Sequence, residues 1–214
     1  MNIAILGGTG KEGAGLGARW ALAGHSIVIG SRDAARAETK AAELREATRR
    51  SIITGDSNAG AAARAEVVVI ALPADGLTTI LPDARAACQG KVVISTVVPL
   101  TFGGGRLFTP PPEGSAAELV QRLLPEARVV AAFHHIAAHE LAATEHAIEC
   151  DLLMCGTDRE AKETIVALGA TMGLRTIDVG PLTNAGPLEG ITAVLATINR
   201  RYKLKNSGIK ITGL

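Results

Sequence analysis

Aromatic residues are almost missing from this chain: one Trp, one Tyr and three Phe make up 2% of its 214 residues. Stacking on aromatic faces therefore cannot be the main way a flat ligand is held, and the core must be assembled from Ala, Val, Ile and Leu. Cysteine is scarce too. Cys88, Cys150 and Cys155 form no CxxC pair and are odd in number, which excludes a disulfide framework and predicts buried, reduced thiols. Net charge is nearly absent, at +1, leaving no basic surface for nucleic acid and no acidic tail. No run approaches the roughly 18 uncharged apolar residues of a membrane helix, so no membrane partner is expected. The opening MNIAILGG has neither the charged start nor the long apolar run of a secretion signal, and a cytoplasmic protein is expected.

What remains is 47% apolar and 20% charged, with 24 Gly and 9 Pro, the balance of a folded α/β protein. Asn2–Leu6 reads as a strand, followed by a glycine-rich turn and a helix carrying Leu16 and Trp20 until Gly24. Ser26–Ile29 is a second strand, Ala34–Arg50 a helix, Ile52–Thr54 a short edge strand and Asn58–Arg64 a weak helix. EVVVIAL (Glu66–Leu72) and KVVISTVV (Lys91–Val98) are unbroken β-branched runs, the mark of parallel strands covered on both faces, with a helix over about Gly76–Ala87 between them. Pro99–Gly114 is a long Gly- and Pro-rich loop, read as bordering a site. Ser115 and Glu118 form a capping box for a helix to Leu124, and RVVAAF (Arg128–Phe133) is the next strand. Ile136–Ala143 is short and Ala-rich, and Leu152–Cys155 is strand-like. Thr157 and Glu160 cap a helix through about Met172, Leu174–Val179 is a last strand, and Pro187–Arg201 is a helix. Its Leu188, Ile191, Val194, Leu195 and Ile198 form a stripe that suits core or subunit contact. The pattern predicts a Rossmann-type, doubly wound, mostly parallel sheet over residues 1–135, with a small carboxy-terminal α/β domain over 136–214.

Gly8-Thr9-Gly10-Lys11-Glu12-Gly13 is a GxGxxG between a strand and a helix. In that setting Gly8 permits the tight turn, Gly10 admits a pyrophosphate to the backbone, and Gly13 lets helix and strand pack closely. At the end of the second strand, HSIVIGSRDAAR has Ser31 and Arg32 where an NAD-binding chain places an acid for the ribose 2′-OH. A hydroxyl and a guanidinium instead donate to the 2′-phosphate of NADP, with Arg36 one helical turn on and Thr9 in the neighbouring turn.

These residues, with GGTGKEGAGLGARWALAGHSIVIGSR, Ala71–Pro73, VVISTVVPL, Phe133-His134, DVGPLTNAGPLE and the terminal Gly208-Ile209-Lys210, resemble the NADPH-dependent oxidoreductases of coenzyme F420, the 8-hydroxy-5-deazaflavin. The resemblance covers nearly the whole chain. It implies a homo-oligomer, expected here as a homodimer, that moves a hydride reversibly between NADP(H) and F420. It also implies that Thr9, Ser31, Arg32 and Arg36 hold the 2′-phosphate, and that both ring systems sit between the two domains. Where the family tends to show Thr-Ile-Pro after its histidine, this chain has His135-Ile136-Ala137, with His139 close behind.

Two cofactors that carry their own reactivity need alignment rather than a protein nucleophile or strong acid, so no catalytic residue is expected. Small residues at strand ends that let two flat rings approach are Leu72, Pro73, Val98, Pro99, Gly180, Pro181 and Leu182. His134, just past a strand, suits contact with the ring or its ribityl hydroxyls, or else a hydrogen bond at the domain junction. His135 and His139 lack the further ligands of a metal motif, and His25 and His146 read as surface residues. Two other functions use the same NADPH site: reduction of a small imine or ketone with a histidine supplying the proton, and a non-catalytic NADPH sensor.

Overall fold

The computed structural model describes residues 1–103 and 106–214. The described residues build one eight-stranded sheet of order β3-β2-β1-β4-β5-β6-β7-β8. Its strands are β1 (Asn2–Leu6), β2 (Ser26–Ser31), β3 (Ile53–Ser57), β4 (Val67–Ile70), β5 (Val92–Ser95), β6 (Arg128–Ala131), β7 (Asp151–Gly156) and β8 (Arg175–Asp178). The first six are parallel in the doubly wound order, which reverses between β1 and β4 and so opens a crevice at their carboxyl ends. β7 then joins β6 antiparallel, with Val130 opposite Gly156 and Ala131 opposite Cys155, and β8 runs parallel to β7. The chain beyond residue 135 thus extends the same sheet.

Helices are α1 (Lys11–Leu22), α2 (Ala34–Thr48), α3 (Asn58–Arg64), α4 (Leu77–Ala84), α5 (Ala116–Leu123), α6 (Ala138–Ala142), α7 (Arg159–Ala170) and α8 (Ala185–Tyr202). Alternation along each strand divides the core in two. Ala4, Leu6, Val68 and Ile70 face α3, α4, α5 and the start of α8, whereas Ile3, Ile5, Val67 and Val69 face α1, α2, α6 and α7. Fully buried Trp20 of α1 packs edge-on against Phe133, ring centroids 5.3 Å apart. Cys88, Cys150 and Cys155 are free and buried. No helix of the described residues is long and apolar enough to cross a membrane.

Several bounds differ from the sequence reading. β2 runs on through Ser31, because Gly30 and Ser31 still pair with β3. The Gly76–Ala87 helix is shorter: 3-10 turns at Ala74–Gly76 and Ala86–Cys88 flank α4. α7 is capped by Asp158, whose carboxylate accepts from Ala161 N at 2.7 Å, rather than by Thr157. Asp has the stronger acceptor one residue closer to the helix. In the Pro99–Gly114 loop, Leu100 bridges to Phe108. Gly104 and Gly105 of that loop lie outside the described residues.

Candidate functional site

A cleft of about 920 Å³ opens at the carboxyl ends of β1, β2, β4 and β5. The turn after β1 bends at Gly7, with φ +78°, rather than at Gly8. Gly8 faces inward: a Cβ there would meet Ile5 O at 2.8 Å and the Ile29 side chain at 3.1 Å. Gly13 is a packing glycine, its missing Cβ 2.9 Å from Gly8 Cα. Gly10 is different. It has ordinary extended dihedrals, and the nearest protein atom to an added Cβ is Gly7 O at 3.4 Å. The space a side chain would fill there belongs to the cleft. No side chain caps α1, so the N–H groups of its first turn point into that space.

Ser31, Arg32, Asp33 and Arg36 form one end of the cleft. The one acid among them is committed: Asp33 caps α2, accepting from Ala35 N at 2.9 Å and Arg36 N at 3.3 Å, while Ser31 Oγ accepts from Asp33 N. Arg32 and Arg36 are exposed along the cleft wall. Asn58, buried at the start of α3, accepts from Gly7 N at 3.2 Å and ties the glycine turn to this end.

Leu72, Pro73, Thr96, Val97, Val98, Leu100, His134 and Thr192 line the other end. His134 is aimed there by the backbone of Phe133, which takes φ +65°, a left-handed conformation that a bulky residue adopts only when its surroundings hold it. The packing of Phe133 on Trp20 supplies that hold. His134 is only 4% exposed, and neither ring nitrogen has a well-formed hydrogen bond among the described residues. Burial, reinforced by neighbouring His135, pushes its pKa down to about 3, so the ring is neutral. Thr192 Oγ1 donates to the backbone oxygen of His134 at 3.2 Å, joining α8 to this end.

The sequence model of the family described as "NADP oxidoreductase coenzyme F420-dependent" matches residues 2–99. An F420-dependent NADP reductase from Methanocaldococcus jannaschii is 39% identical over the whole of this chain and 99% of its own length. One from Methanothermobacter thermautotrophicus is also 39% identical, over 96% of its length. The chain belongs to the F420-dependent NADP reductase family. Among solved structures, a candidate F420-dependent NADP-reductase from Arthrobacter sp. FB24 superposes with a TM-score of 0.85 at 28% identity, each chain covered to 99%.

Of the site residues expected from sequence, the chain gathers Thr9, Gly10, Lys11, Glu12, Gly13, Ser31, Arg32, Arg36, Leu72, Pro73, Val98 and His134 around one cleft. Gly8 lies beneath it, and Pro99 is adjacent without lining it. Gly180, Pro181 and Leu182 are not in its lining: Gly180 O accepts from Gly156 N beside β7, and Leu182 is packed in the core. His135 also turns away, with Nε2 3.0 Å from Asp151 O and 3.2 Å from Leu153 N. Asn58, Thr96 and Thr192 were not anticipated. Thr96 directly ends the KVVIS strand and could have been found from that; Thr192 sits inside an amphipathic helix and carries no local signal.

Proposed function

We propose that this cleft binds NADP(H) along its length and passes a hydride reversibly between it and coenzyme F420 at the His134 end. Gly10 leaves room for the pyrophosphate, which the uncapped first turn of α1 receives. Ser31, Arg32 and Arg36, with Thr9, donate to the 2′-phosphate, since the neighbouring acid, Asp33, is occupied by the α2 backbone. Bound together, the two cofactors supply the hydride donor and acceptor. Leu72, Pro73, Val97 and Val98 form an apolar wall that excludes water and lets flat rings approach, and neutral His134 offers a hydrogen bond without a charge. Thr192 is the lining residue contributed from beyond residue 135, which supports placing the deazaflavin between the nucleotide-binding part, 1–135, and the remainder, 136–214.

The observation that carries this reading is full-length likeness to F420-dependent NADP reductases in a chain whose β2 end presents two free guanidinium groups to the cleft. Reduction of an imine or ketone by a histidine acid is disfavoured. His134 is held neutral by burial, and His135 faces β7. We further read the protein as a cytoplasmic homodimer. Its reduced thiols suit that compartment, and α8 turns an apolar stripe outward. The functional reading is tested by mixing protein, F420 and NADPH carrying deuterium at the transferring position. Loss of the oxidised deazaflavin's visible absorbance, with the label on the deazaflavin, is expected. Unchanged absorbance, or label washed into water, refutes it.

A further inference from the structure

Glu12 stands in the first turn of α1, between Gly10 and Gly13, and lines the cleft. Its Oε1 is buried and has no hydrogen-bond partner among the described residues. The neighbour that its carboxyl does reach is Thr96, at the end of β5. That hydroxyl also lies 3.1 Å from Ile70 O, so it is shared, and its contact with Glu12 opposes the effect of burial only in part.

No charge relieves the burial. Lys11 beside it on α1, Arg32, Asp33 and Arg36 after β2, and Asp75 after β4 all border the cleft without acting on it, and His134 after β6 is neutral. Burial pushes the Glu12 pKa up to about 8, with Thr96 only partly opposing. The same helix turn is the seat for an anion, so a bound pyrophosphate makes a second negative charge there costlier still. His134, buried without a well-formed hydrogen bond among the described residues, is a second polar side chain of this cleft open to a partner on a ligand.

We propose that Glu12, as the neutral acid, donates a hydrogen bond to an oxygen of the dinucleotide's pyrophosphate or adjoining ribose, so that NADP(H) binding at alkaline pH takes up a proton. This rests on the cleft being the NADP(H) site. The proton stays on the Glu12 carboxyl and no bond other than that O–H is made.

The test is calorimetric titration of the intact protein with NADP+ from pH 7 to 9.5, in two buffers of different ionisation enthalpy. Affinity should fall about tenfold between pH 7 and pH 9, with about three-quarters of a proton taken up per NADP+ at pH 8.5. The 2′-phosphate, whose second pKa is about 6, is already ionised there. Burial pushes the Cys88, Cys150 and Cys155 thiols to about 11, 11 and 12, so they stay out of this range. Glu12→Gln keeps size and a donor, and its affinity should vary less than about twofold over the same range. Wild-type affinity independent of pH without proton uptake overturns the proposal, as does a Glu12→Gln variant that keeps the tenfold fall. If the variant does not fold, wild-type proton uptake alone decides. Failure to bind NADP+ at pH 7 would instead overturn the assignment of the cleft.

Discussion

A guanidinium on the cleft wall distinguishes phosphates by charge, and Arg32 makes no hydrogen bond or ion pair among the described residues, where it lines the cleft. Its neighbour Asp33 caps α2, and Ser31 Oγ orders the Asp33 backbone, so the turn is folded before any ligand arrives. Replacing Arg32 with Ala should weaken NADP+ by about 1.5–3 kcal/mol, the size of a charge-assisted hydrogen bond, and leave NAD+ nearly unchanged. Fluorescence or calorimetric titration with both dinucleotides measures this; equal losses would place Arg32 away from the 2′-phosphate. The residues at this end were legible in sequence because the chemistry lies within contiguous segments, GGTGKEG and GSRDAAR. Glu12 was legible only as a motif position. Its environment depends on Thr96, 84 residues later in the chain, and no local pattern announces that one oxygen of a half-exposed acid will be buried.

At the scale of elements, α5 and α8 are joined by a polar contact inside the apolar layer. Glu189 of α8, only 1% exposed, accepts from Ala116 N and Ala117 N at 3.0 Å each, while Ser115 and Glu118 complete the capping box on the same turn. Burial raises the Glu189 pKa to about 7, the two backbone N–H groups opposing. A carboxyl whose pKa is higher folded than unfolded contributes stability that is complete below about 4.5 and lost as pH rises through about 7. Denaturant unfolding across that window should show wild-type stability falling by about 3 kcal/mol more than that of Glu189→Gln. Parallel slopes would mean that Glu189 does not titrate there. The capping box itself was readable in sequence, as were β1 and α3, because their signals are local. The Glu189 cap joins segments more than seventy residues apart, and the antiparallel entry of β7 leaves no trace in an apolar run, which reads the same in either direction.

The whole molecule leaves one helix face unaccounted for by a single chain. Along α8, Leu188 and Leu195 turn inward and are buried and Ile191 packs against the core, whereas Val194, Ile198 and Tyr202 recur at helical spacing on the outer side. Val194 is 58% exposed and Tyr202 65%, and Leu204 just beyond the helix is 48% exposed. The sequence pattern alone could not separate these two stripes, since both are apolar and only the packed sheet shows which one the chain covers. A single outward stripe on one helix suits a two-fold contact, in which the same face serves both copies and no open-ended assembly results. Sedimentation at micromolar concentration should therefore give twice the 22.0 kDa chain mass. Val194→Asp places a charge at the centre of that face without disturbing the core, because the side chain lies mostly in solvent within one chain. It should shift the species to the monomer at the same concentration while circular dichroism stays unchanged, since a desolvated, unpaired carboxylate is costly at an interface and nearly free in water. A wild-type monomer, or a dimer indifferent to Val194→Asp, would assign this stripe to something other than a second copy of the chain.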